Sequence, residues 1–110
     1  MSEHPAIHPF DVYLVQLDPA IGVEMRKARP CVIVSPEIMH RHVRTVIVAP
    51  LTSHPKQYPT RVRCRFAGRP GEVALDHVRA VDRSRLLKRL GTIDGPTAAR
   101  VRVGLVNMFK

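Results

Sequence analysis

An arginine and two hydroxyls stand out in this chain for where they sit. Arg29 precedes Pro30 at the entrance of the apolar run Cys31-Val32-Ile33-Val34, and Thr52-Ser53 closes a second run that begins at Val46. Pro30 fixes its own φ and confines Arg29 to extended backbone, so the arginine leaves the chain from a steady point. A guanidinium stays charged and grips a phosphate with two parallel N–H bonds. Hydroxyls at a strand end can donate to a phosphate oxygen or orient an attacking group, and they are weak bases. The combination suits the handling of a phosphodiester. Plainer readings stand beside it: an ion pair of Arg29 with Glu24 across the intervening loop, and Thr52 and Ser53 serving only the backbone of a turn.

Other groups could join this chemistry. Asp76 follows the strand-like Val73-Ala74-Leu75, and His77 comes next. An imidazole with a pKa of about 6.5 suits acid–base work, although a lone histidine is more often a satisfied polar residue. Arg61, Arg63 and Arg65 alternate with Val62, Cys64 and Phe66. On a strand this stripe spans roughly 13 Å, enough for two or three phosphates, and stacked like charges benefit from an anion. Its alternative is a solvated face. Arg26 and Lys27 offer further contacts to flanking phosphates. His40 and His42 could share a metal on a strand, but no third ligand is evident and no carboxylate cluster supports a two-metal nuclease. The expectation is a protein without metal or cofactor. Cys31 and Cys64 have no CxxC spacing and read as buried small hydrophobes.

The elements that must hold these residues are short. Residues Met1 to Pro9 read as a flexible arm and 10–110 as one domain. Strands are expected at Asp11 to Leu17, Cys31 to Val34, Thr45 to Leu51 and Thr60 to Phe66, then Glu72 to Leu75, His77 to Val81 and Leu90 to Ile93. Asp18-Pro19 and Gly22 mark a turn before the polar loop Glu24 to Lys27. Glu37 to Arg44 reads as a charged connection, His54 to Pro59 as a proline-bounded loop, Gly68 to Gly71 as a hairpin turn and Arg83 to Arg89 as a basic single-turn segment. Asp94-Gly95-Pro96 caps a C-terminal helix whose apolar face is Ala98, Val101, Leu105, Met108 and Phe109. Many short strands and one terminal helix predict a mainly β fold: a small, strongly bent antiparallel sheet or partly open barrel with the helix packed on it.

The charge balance narrows the partners. The 110 residues carry 18 Lys+Arg against 9 Asp+Glu, a net charge of +9. Such an excess concentrates polyanions, RNA or DNA first, and attracts an acidic protein partner equally well. With no Trp, three Phe and two Tyr, the chain offers few stacking platforms, so phosphate contacts should dominate. No apolar run approaches the roughly 20 residues of a membrane span. The N-terminus has neither the basic start nor the apolar core of a signal peptide, so a cytoplasmic protein is expected.

Asp11-Val12-Tyr13, Leu17-Asp18-Pro19, Gly22, Glu24, Arg29-Pro30, Ala49 to Ser53 and Val73 to Asp82 together resemble the MazF/PemK (Kid) toxins, the endoribonuclease half of bacterial toxin–antitoxin pairs. The resemblance implies an SH3-like barrel. It also implies metal-free, sequence-specific cleavage of single-stranded RNA by the ribose 2′-hydroxyl, a homodimer whose seam helps build the RNA groove, and an acidic MazE/PemI-like antitoxin. It assigns catalysis to Arg29 and Thr52 and places Glu24 beside the RNA groove; Glu24, Ser53, Asp76 and His77 are further candidates for a catalytic or supporting role. In the Kid branch the aspartate matching Asp76 is a proposed general base partnered by an arginine two residues earlier. Here that position is Ala74, so the pair does not transfer whole, and His77 stands where relatives commonly carry glutamine. Phe10 stands where the family usually has glycine. Two further readings keep the fold: a CcdB-like gyrase poison, against which the absence of Trp and the ending Asn107-Met108-Phe109-Lys110 count, and a basic RNA-binding barrel without activity.

Overall fold

The structure, a computed structural model, describes residues 6–17 and 28–110. Seven strands form one bent sheet, with β3 (Thr45–Thr52) at its centre. One edge of β3 pairs with β2 (Arg29–Ile33), which pairs in turn with β1 (Asp11–Val15). The other edge is shared, because β6 (Arg79–Asp82) takes Thr45 to Val48 and β5 (Arg69–Ala74) takes Leu51 and Thr52. β4 (Arg61–Phe66) forms a hairpin with β5, and β7 (Leu86–Thr92) closes the outer edge of β1. All pairs are antiparallel. Among the described residues two α-helices complete the fold, α1 (Glu37–His42) and α2 (Gly95–Met108).

The apolar runs are continuous because the inner strands are covered on both faces. Val12, Val32, Ala49, Val62, Val73 and Leu75 pack under Ala98 and Val101 of α2. On the opposite face Tyr13, Val15, Cys31, Ile33, Val46 and Val48 pack with Ile7 and Val81. Each Val, Leu or Ile side chain among them contributes roughly 1.5–3 kcal/mol by leaving water. Burial pushes the Cys31 thiol up to about 12, so it behaves as a hydrophobe. Within the arm expected to be flexible, Ile7 is buried and its carbonyl accepts the Nδ1–H of buried His40 (2.7 Å). A carbonyl can only accept, so Nδ1 carries a proton, and in the neutral ring Nε2 accepts the Ser35 hydroxyl (2.6 Å), whose oxygen takes the Ile47 N–H.

Several boundaries differ from the sequence reading. The charged connection after Pro36 contains α1, which turns His40 inward, so His40 and His42 do not share a strand. The β4–β5 turn is the two-residue Ala67-Gly68, both at positive φ (52° and 76°), which matches the strand twist. Gly71 lies within β5 instead, where a Cβ would come within 2.6 Å of the Thr52 carbonyl oxygen. β7 starts at Leu86, four residues before the expected strand, and register shifts in its pairing with β1 blur the alternation that marks a strand. Leu75–His77 forms a single 3₁₀ turn and β6 follows it. α2 begins as expected, with the Asp94 carboxylate accepting the Thr97 N–H (2.7 Å). Phe109, expected on its buried face, is 74% exposed.

Phe10 adopts φ 72°, a glycine-like conformation. It is held there because its N–H donates to the Ile33 carbonyl, its own carbonyl accepts from Ile93 N–H and Thr92 Oγ1, and Arg102 stacks 4.6 Å from its ring centroid. The backbone thus follows the glycine path at a steric cost of about 1–2 kcal/mol. Both Phe10→Gly and Phe10→Ala should destabilise by losing packing, but Gly should be the more stable variant by about 1 kcal/mol in urea titration. A more stable Ala variant would show that the strain is not real.

Candidate active site

The β2–β3 register brings the two leading candidates together. Cys31 pairs with Pro50, and extending that antiparallel register by two residues sets Arg29 across from Thr52. Both line one open pocket of about 360 Å³, with Ser53, His54 and Arg69 beside them and Phe66 and Leu90 as an apolar wall. Arg29 is exposed. Among the described residues its guanidinium has no hydrogen-bond or ion-pair partner, and it lines the pocket.

Thr52 is oriented by its own loop. Its Oγ1 accepts the His54 N–H at 3.1 Å, which leaves the hydroxyl proton to donate outward. Thr52 can therefore donate to a phosphate oxygen, and as an alcohol it is a weak base. A donor hydroxyl and a planar cation across two hydrogen-bonded strands can hold two non-bridging oxygens of one phosphate and stabilise charge that develops there.

A second open pocket, about 700 Å³, adjoins the first through Ser53, Cys64, Pro70 and Gly71 and continues past Arg63, Arg65 and Arg100 to the start of α2. Arg65 uses one donor on the Gly68 carbonyl, and Arg100 holds the Arg63 carbonyl (3.0 Å). Two carboxylates border this pocket, and both are engaged. Asp94 caps α2, and the Thr97 amide holds its carboxyl below the usual range. Glu72 is taken up by the loop after Thr52.

The stripe does not act as one unit. Arg63 and Arg65 are exposed, whereas the Arg61 side chain is only 7% exposed. Its Nε and Nη2 grip both oxygens of Asp76 (2.7 and 3.2 Å), and Nη1 reaches Glu72 at 3.4 Å. Arg61 lies opposite Ala74 in the β4–β5 ladder. An arginine on the facing strand therefore partners Asp76. That bond holds the Asp76 carboxyl down at about 2. Neither Asp76 nor His77 lines the Arg29–Thr52 pocket, and the exposed His77 ring sits 3.4 Å from Asp76. Glu24, Arg26 and Lys27 lie outside the described residues.

Three neighbours of the site escaped the sequence reading. Arg69 precedes Pro70, repeating the Arg29-Pro30 dipeptide, and that repeat was a usable signal. Arg100 had no signal, since only the packing of α2 beside β4 brings it to the groove. Glu72 was read as the polar start of a strand, yet its side chain is 1% exposed.

Residues 8–109 match the family described as PemK-like, MazF-like toxin of type II toxin-antitoxin system. The chain is 30% identical to endoribonuclease EndoA of Bacillus subtilis (strain 168) over 90 residues, 76% of this chain and 78% of that protein. The crystal structure of MazF from Deinococcus radiodurans superposes with a TM-score of 0.78 at 27% identity, covering 96% of this chain and 98% of the other. A MazE–MazF structure from the same organism gives 0.78 at 27% identity, covering 96% and 97%. With a family match across nearly its whole length, this chain belongs to the PemK-like, MazF-like toxins of type II toxin–antitoxin systems.

Proposed function

We propose that this endoribonuclease toxin cuts single-stranded RNA, sequence-specifically and without metal, by in-line attack of the ribose 2′-hydroxyl on the adjacent phosphate. The observation that carries the reading is that Arg29, without a partner among the described residues, and Thr52, whose hydroxyl proton is not used in the turn bond from the His54 N–H, line one pocket. The attack forms an O2′–P bond and breaks the P–O5′ bond; the 2′-hydroxyl proton passes to water and a proton from water reaches the leaving O5′, giving a 2′,3′-cyclic phosphate and a 5′-hydroxyl. Arg29 stabilises the charge on the pentavalent intermediate and hydrogen-bonds the leaving oxygen, while Thr52 orients the scissile phosphate. Arg63 and Arg65, with Arg26 and Lys27 of the loop, hold flanking phosphates, and the net charge of +9 draws RNA in. Asp76 and His77 remain candidates for a supporting role from outside this pocket.

The partners follow from the same surfaces. Relatives have been crystallised as MazE–MazF complexes. Val103, Val106 and Phe109 leave an apolar face of α2 exposed (60%, 62% and 74%), which supports a symmetric homodimer. An acidic antitoxin tail that folds on binding would cover the cationic groove. Antitoxin and RNA should then compete. Light scattering should give a dimer, and a cognate acidic peptide should suppress cleavage as it binds. A monomer cutting at full rate, or cleavage that continues with peptide bound, would contradict this.

Cleavage should persist in EDTA and stop when deoxyribose replaces the ribose at the scissile position, and DNA should stay intact. An absolute need for Mg²⁺ would refute the mechanism. Arg29→Lys should fail to restore activity because an ammonium lacks the planar fork, with a loss of about 10²–10³ in kcat. Thr52→Val should cost less yet remain measurable, and near-normal turnover of Arg29→Ala would move the site elsewhere.

A further inference from the structure

A carboxylate buried in a small basic barrel requires compensation, and Glu72 has it from three directions. Its Oε1 accepts the Lys56 N–H (3.0 Å) and its Oε2 the Gln57 N–H (3.1 Å), while Arg61 approaches Oε1 at 3.4 Å. The two amides belong to the loop that leaves β3 at Thr52, and in the ladder Thr52 lies opposite Glu72. The loop therefore folds back over the residue that faces its own origin.

Two details show that the loop is held rather than merely resting. Gln57 sits at φ 58°, a conformation that a non-glycine residue keeps only when its surroundings impose it, and its N–H is one of those bound by Glu72. Tyr58 covers Arg61, whose carbon is 5.2 Å from the ring centroid, so the same loop shields the cation. Arg61 is fixed in turn by its two bonds to Asp76. The path runs from Asp76 through Arg61 to Glu72, from Glu72 to the Lys56 and Gln57 amides, and along the loop to the His54 N–H on Thr52 Oγ1.

We propose that Arg61 and Glu72 are a positioning pair for the cleavage reaction, clamping the loop after Thr52 so that His54 keeps the Thr52 hydroxyl aimed into the pocket. Arg61 on this view binds no RNA, although it heads the arginine stripe. The proposal rests on the RNA-cutting reading above and adds residues which that reading does not need.

The test uses the full chain, an RNA substrate in chelator, and amide hydrogen exchange followed by NMR. A single truncation would strand the buried charge of Arg61 or Glu72, so the main variant is Arg61→Met with Glu72→Leu, which releases the loop amides and leaves Asp76, its side chain 28% exposed, to solvent. Glu72→Gln is the milder variant, keeping one acceptor oxygen for the loop amides. In the double variant Lys56 and Gln57 amides should exchange about tenfold faster or more. Its kcat should fall about 10–100-fold while KM and its salt dependence stay within about twofold, with Glu72→Gln in between. A rise in KM with a salt slope flattened by about 0.7, the mark of one lost phosphate contact on a single strand, would make Arg61 an RNA ligand and overturn the proposal. Wild-type kcat in the double variant, or slow exchange retained at Lys56 and Gln57, would overturn it too. Failure of the wild type to cut RNA in chelator would instead refute the cleavage reading, and the exchange measurement would still decide whether the clamp exists.

Discussion

β3 is hydrogen-bonded along both edges, to β2 on one side and to β6 and then β5 on the other. The geometry of the site depends on this double register. It sets Arg29 on one side of Thr52 and Glu72 on the other, and the β4–β5 ladder continues the row to Arg63. Directly opposed residues in a ladder share a face. The row one residue along, Leu51, Val73 and Val62, lies in the core. A slip of one residue would exchange the two rows, placing charge in the core and valines in the pocket. Burial on that face therefore holds the functional row in place.

The cations divide into two populations. Arg61 is spent inside the fold on Asp76 and Glu72, and Arg83 donates to the His40 carbonyl. Arg29, Arg63, Arg65 and Arg69 face the pockets, where a positive field is useful and no described carboxylate neutralises them. The carboxylates near the groove, Glu72 and Asp94, are satisfied by backbone amides and so hold backbone in place. Among the described residues, the acids bordering the groove are thus engaged by backbone amides and leave its arginines unneutralised.

The legible parts of the chain were those where local chemistry and tertiary demand coincide. The doubly buried strands showed as unbroken apolar runs, and the Asp94 cap with Pro96 marked the start of α2. Arg29-Pro30 could be singled out because proline restricts its neighbour whatever the fold. Less legible were features set by contacts distant in sequence. β7 is bulged against β1, so its alternation is lost, and Gly71 reads as a turn residue although it serves a close approach to the Thr52 carbonyl. Period-two spacing placed Arg61 with Arg63 and Arg65 on one face, which is correct. It could not show that the loop after Thr52 folds over the end of that face and buries Arg61 with Glu72. The same limit applied to Phe109, whose spacing fits the inner face of α2 while the helix end leaves it exposed.

The central claim is that Arg29 and Thr52 serve an internal nucleophile, the substrate's own 2′-hydroxyl. The chemical nature of the cut ends tests this most directly, read by mass spectrometry of the fragments from a short RNA. The account predicts an upstream fragment ending in a 2′,3′-cyclic phosphate, lighter by one water than the linear phosphate, and a downstream fragment beginning with a free 5′-hydroxyl. Fragments with a 3′-hydroxyl and a 5′-phosphate would mean that water is the nucleophile and would contradict the assignment.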